Sequence, residues 1–131
     1  MALKNATRSA TLALLLSAAL PAAAQAPAIT MTCGGIGLEK SLPMRQAQQG
    51  HALTVLFATE SGGYVADVRT RIDSPMSDAV AENERCGPVA QVDITRAGHY
   101  RIRAELDGVV REEVLELSPQ GGHRIVLRWP E

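Results

Sequence analysis

Few side chains in this sequence could do chemistry, and arginines are prominent among them. Arg69 and Arg71, Arg101 and Arg103, and Arg124 and Arg128 recur at even spacings. On an extended strand, residues two apart share a face, so each pair would project from one side of its strand. Arg69, Arg71, Arg101 and Arg103 are therefore candidate binding residues. A basic sheet face would suit an anionic partner, either an envelope protein with an acidic surface or an anionic polymer. The competing explanation is structural: cross-strand pairing with Asp67, Glu105, Glu112 and Glu116, worth about a few tenths of a kcal/mol per pair.

The other reactive types are sparse. Three histidines, His51, His99 and His123, accompany Met31, Met44 and Met76. Imidazole and thioether ligands suit copper, which makes a copper-binding exported protein one alternative, with His99 and His123 as weak candidate ligands. No His-x-His or methionine-rich run concentrates these residues, and scattered surface histidines are the plainer reading. Glu112-Glu113 resembles an acid pair, but adjacent strand residues point to opposite faces, so they form no glycosidase-type dyad. Ser74 and Ser118 lie beside prolines and read as turn formers. Asp73, Asp78, Glu82 and Glu84 lack the order of a calcium loop. The stretch Cys33-Gly34-Gly35-Ile36-Gly37 has no following Lys-Ser/Thr and is not a phosphate loop. The expected chemistry is non-enzymatic and needs no cofactor.

Compartment follows from the first residues and from cysteine usage. Lys4 and Arg8 precede a nearly uncharged apolar stretch to Ala24, and Ala22 and Ala24 supply small residues at an A-x-A site. That is the form of a secretory signal peptide, with cleavage expected before Gln25 and a soluble periplasmic product. The apolar run is short for a membrane span, and no transmembrane segment is expected after cleavage. The formal charge is −1 with 13 Lys and Arg against 14 Asp and Glu. Loss of Lys4 and Arg8 makes it 11 minus 14, or −3, so nucleic acid is not an expected partner. Two cysteines in an exported chain, Cys33 and Cys86, point to one disulfide. Closing that loop is worth roughly 4 kcal/mol by chain entropy.

These residues need elements to position them. Residues 25–50 form an N-terminal segment: an apolar lead-in over 25–32, the glycine turn, and a short helix over 39–49 that Gly50 ends. From Ala52 the period becomes two. Residues 52–58 are a continuous apolar run fit for a central strand. Tyr64, Ala66, Val68, Thr70 and Ile72 alternate against Asp67, Arg69 and Arg71. Ser74–Glu84 is more polar and is assigned a short edge strand around 78–81. Ala90, Val92 and Ile94 alternate, as do Tyr100, Ile102, Ala104 and Leu106. Asp107-Gly108 then signals a tight hairpin into 109–117. Ile125, Leu127 and Trp129 end the chain on one face, with Trp129 as the largest anchor available to the core. Six to seven short strands without intervening helices predict an all-β antiparallel sandwich over 51–131.

The mature chain resembles bacterial exported proteins with a carboxypeptidase regulatory-like domain, which share the transthyretin-like β-sandwich. The resemblance rests on Gly-Gly-Ile-Gly at 34–37 followed by a short helix, Leu53–Ala58, Gly63–Val68, Gly87-Pro88, Gly98-His-Tyr100 and Leu127-Arg-Trp129. It implies a fold and a periplasmic address, and no reaction. Cys33 and Cys86 depart from the expected pattern together, in keeping with one added bridge. The same scaffold hosts the transthyretin-like hydroxyisourate hydrolases, whose resemblance would bring a histidine-arginine-histidine set and a C-terminal Tyr-Arg-Gly-Ser. This chain ends Leu127-Arg-Trp-Pro-Glu131 and lacks that hydroxyl, so a small hydrolase is the least favoured alternative.

Overall fold

The computed structural model describes residues 27–131. The expected signal peptide and its cleavage site before Gln25 lie outside the described residues. Among these, one helix, α1 (Leu38–Gln46), and a short 3-10 turn at Gln48–Gly50 accompany eight strands. The strands are β1 (Ile29–Gly34), β2 (Leu53–Thr59), β3 (Val68–Asp73), β4 (Val80–Cys86), β5 (Val89–Ile94), β6 (Gly98–Leu106), β7 (Val109–Leu117) and β8 (His123–Trp129). They form two four-stranded sheets, in the orders β1-β5-β2-β8 and β4-β3-β6-β7, which share one hydrophobic core. The protein is an all-β sandwich. No helix among the described residues is long and apolar enough to cross a membrane.

Burial follows the sequence periods. β3 alternates buried Val68, Thr70 and Ile72 with exposed Arg69 and Arg71, as a strand with one solvated face must. β2 is instead buried along nearly its whole length. Its inner face meets the opposing sheet. On the outer side of the same sheet, α1 is tied down where the Gln91 side-chain amide donates to the Met44 carbonyl. The β6–β7 hairpin turns on Asp107 and Gly108, with φ of 51° and 79°, a left-handed pair that matches the twist of the flanking strands.

Several expected boundaries move. The described residues form eight strands rather than six to seven, because the lead-in contributes β1 and the polar segment contributes a full β4. β1 pairs antiparallel with β5, Met31 opposite Val92. β4 runs to Cys86, beyond the expected short edge. The sandwich is not wholly antiparallel, since β8 lies parallel to β2 with Phe57 opposite Leu127. The helix stops at Gln46, three residues early, and the chain tightens into the 3-10 turn that Gly50 closes. The strand expected from Tyr64 begins only at Val68. Asp67 takes φ 59°, which breaks the extended run and leaves the Tyr64 ring about half exposed at 49%. Tyr64 keeps one isolated bridge to Ala58, and Arg45 stands over its ring.

Trp129 is 1% exposed. Its ring stacks on Phe57 with centroids 6.0 Å apart, and its indole N–H donates to the Val109 carbonyl at 2.9 Å. Tyr100 is also buried, and its hydroxyl donates to the Arg96 carbonyl. Cys33 and Cys86 are disulfide-bonded, with Cα atoms 5.0 Å apart. The bridge joins an edge strand of one sheet to an edge strand of the other.

Candidate functional site

The outer face of the β4-β3-β6-β7 sheet carries four of the six arginines that the sequence marked, while Arg124 and Arg128 lie on β8 in the other sheet. Arg69, Arg71, Arg101 and Arg103 are all exposed there. The strand registers set their neighbours. Across all four strands, one row reads Glu82, Arg71, Arg103, Glu112. The next row along places Arg69 opposite Glu105. On the other side, Asp73 lies opposite Arg101. Like charges directly across a strand pair are destabilising, so the Arg71–Arg103 pairing needs relief from carboxylates nearby.

That relief is uneven. Arg71 holds Glu82 at 2.7 Å. Arg101 grips Asp73 with two hydrogen bonds, Nε to Oδ1 at 3.2 Å and Nη2 to Oδ2 at 2.8 Å. Hydrogen bonding to Asp73, then its charge, and more weakly the charge of Glu112, raise the Arg101 pKa further above its already high value. The arginines of both pairs stand in solvent, which screens their attraction to the carboxylates. Among the described residues, no carboxylate oxygen lies within 4.0 Å of the Arg69 or Arg103 guanidinium. Arg103 is unpaired even though Glu112 is its register partner.

Arg69 and Arg103 both line an open depression of about 470 Å³, with Arg71, Glu82, Glu84 and Glu105 around them. A second depression of about 330 Å³ shares Arg69, Glu84 and Glu105 and adds Asp67 and Asp107. The face therefore has a basic centre and an acidic end. A β-bulge between β3 and β4 shapes it: Val68 faces Cys86 and Thr70 faces Asn83, so β4 carries one extra residue over that interval. The Asn83 side chain accepts the Arg85 N–H at 2.8 Å. Bulges re-aim side chains, and Glu84 lies in the bulged stretch.

The remaining candidates are dispersed. His99 faces Glu116 on β7, whereas His123 starts β8 in the other sheet, opposite Leu53. Among the described residues, no group of three or more His, Cys, Asp and Glu is arranged to hold a metal ion. Arg128 donates to the Thr59 carbonyl at 3.0 Å. The sequence shows His51 as one of three scattered histidines and gives it no partner. Its Nδ1 hydrogen-bonds Asp93 Oδ1 at 2.8 Å, joining the approach to β2 with the end of β5. No local motif marks a pair 42 residues apart; only the β2–β5 register brings the two together. Neither a family model nor a curated protein matches the chain.

Proposed function

We propose that this protein is an exported, non-enzymatic binding module of the periplasm, akin to the carboxypeptidase regulatory-like domains that its sequence resembles. Its contact surface is the outer face of the β3–β6 pair, and its partner is an envelope component that presents negative charge. One observation carries this reading: Arg69 and Arg103 border the same depression, on neighbouring strands of a closed sandwich, without carboxylates in contact. A guanidinium is a five-donor fork suited to oxyanions. Two of them on rigid strands give a partner fixed donors at little conformational cost.

The test is in-cell photo-crosslinking from a probe placed at Thr70's exposed neighbour Arg71, with and without the double substitution Arg69→Gln and Arg103→Gln. Loss of the periplasmic crosslinked product in the double variant supports the reading. Identical products from both proteins, or products found only in the cytoplasm, reject it.

A further inference from the structure

The charge pattern around the two unpaired arginines narrows the kind of partner, an inference that rests on the binding surface proposed above. We infer that the face takes an extended protein segment of mixed charge, with an acidic side chain between Arg69 and Arg103 and a basic side chain toward Glu84, Glu105 and Asp107. A uniform polyanion fits poorly. It would lay successive negative charges along the β3–β6 direction, over the arginines and then over the carboxylates. Like-charge juxtaposition of that kind selects against a partner.

Three observations converge. First, the arginines and carboxylates occupy adjoining depressions that share Arg69, Glu84 and Glu105, so one ligand can touch both. Second, Glu105, like Arg69 and Arg103, has no opposite charge within 4.0 Å among the described residues. The register nevertheless places it straight across from Arg69. Charges of both signs are thus available to a partner on one surface. Third, the spacing suits an extended chain. Arg103 and Glu105 lie two apart on β6, roughly 7 Å along the strand. In an extended segment, side chains two apart on one face repeat at that same distance. A segment reading acidic-x-basic therefore matches the face in register and sign. The apposed arginines Arg71 and Arg103, with only Arg71 paired, gain most from an added carboxylate.

Three capped pentapeptides differing only in charge test this: Thr-Glu-Thr-Lys-Thr, Thr-Glu-Thr-Glu-Thr and Thr-Lys-Thr-Lys-Thr. Each is titrated into the oxidised protein while the Arg69 and Arg103 Nε–H signals are followed by NMR, a readout suited to weak binding. The mixed peptide should move both signals and bind about fivefold more tightly than either like-charged peptide. Arg103→Gln should remove that preference, and an unchanged far-ultraviolet spectrum and melting profile will show that the variant is folded. Tightest binding by the doubly acidic peptide overturns the mixed-charge inference while keeping the face as an anion surface. Tightest binding by the doubly basic peptide, or no movement of either arginine, overturns it too. The crosslinking result for Arg69→Gln with Arg103→Gln then decides the binding surface on its own.

Discussion

The two open sides of the sandwich are closed by different means. On one side, β1 and β4 are edge strands of opposite sheets, joined by the Cys33–Cys86 disulfide. On the other, β7 and β8 face each other and are joined without covalent help. Trp129 donates to the Val109 carbonyl at 2.9 Å, and the Arg111 Nε–H donates to the Arg128 carbonyl at 2.7 Å. The difference follows from what each edge can bury. β8 ends in a tryptophan that is 1% exposed and stacked on Phe57, a large apolar area anchored at one point. β1 offers Ile29, Met31 and Cys33, all only partly buried. A strand that buries little surface frays unless it is tied. The bridge supplies on one edge what packing supplies on the other.

The largest test of this contrast is removal of the bridge. Cys33→Ala with Cys86→Ala opens a loop whose ends are 53 residues apart, and stability should fall by about 4 kcal/mol in denaturant titrations. The loss should be local first. Amide exchange in β1 should speed up well before exchange in β5 or β2. Equal protection of β1 in the bridged and unbridged proteins would show that packing already holds that edge.

Next in size is Trp129→Ala, which should cost about 3 kcal/mol, at the low end for a large buried aromatic. It should loosen β8 and leave β1 protected, the reverse of the cysteine variant. Trp129→Phe divides the effect. It keeps most of the stacked area but removes the indole donor, so Val109 loses its partner at a cost of about 1 kcal/mol. A Phe variant as unstable as the Ala variant would mean that the hydrogen bond, not the stacked ring, closes this edge.

The sequence made one edge much plainer than the other. Trp129 shares parity with Ile125 and Leu127, and the disulfide followed from the expected compartment and the cysteine count. β1 was hidden. Ile29, Met31 and Cys33 alternate with Thr30 and Thr32, but threonine is at home in strands and the flanking proline and glycines read as loop. The arginine face was half legible. A two-residue turn fixes hairpin register, so Asp107-Gly108 already places Glu112 opposite Arg103. The meeting of Arg71 with Arg103 was not legible, because β3 and β6 are separated by β4 and β5 and nothing local sets their register. The same limit applies to β8 lying parallel to β2, and to His51 meeting Asp93. Tyr64 failed for a different reason: its strand period was intact, and a single left-handed residue, Asp67, ended the strand before it.

The smallest expected effect lies at the far end of the packed edge, where the chain terminus meets the turn after β2. The Ser61 N–H donates to a Glu131 carboxylate oxygen at 2.7 Å, and the Trp129 carbonyl accepts from the Glu60 N–H at 2.9 Å. Hydrogen bonding from the Ser61 side chain, then from its backbone N–H, holds the Glu131 carboxyl below its ordinary pKa. A carboxyl depressed in the folded state stabilises the fold above its unfolded pKa. That stabilisation is lost as the pH falls through the lowered folded value. The group is fully exposed, so global melting should barely respond, and the local signal is the one to follow. The Ser61 amide resonance should titrate with a midpoint below that of a free glutamate, and Glu131→Gln should flatten the curve. A midpoint at or above the ordinary glutamate value would break this contact as a closure of the edge. Then Trp129 and the Arg111–Arg128 contact would join β8 to β7 without help from the chain's last residue.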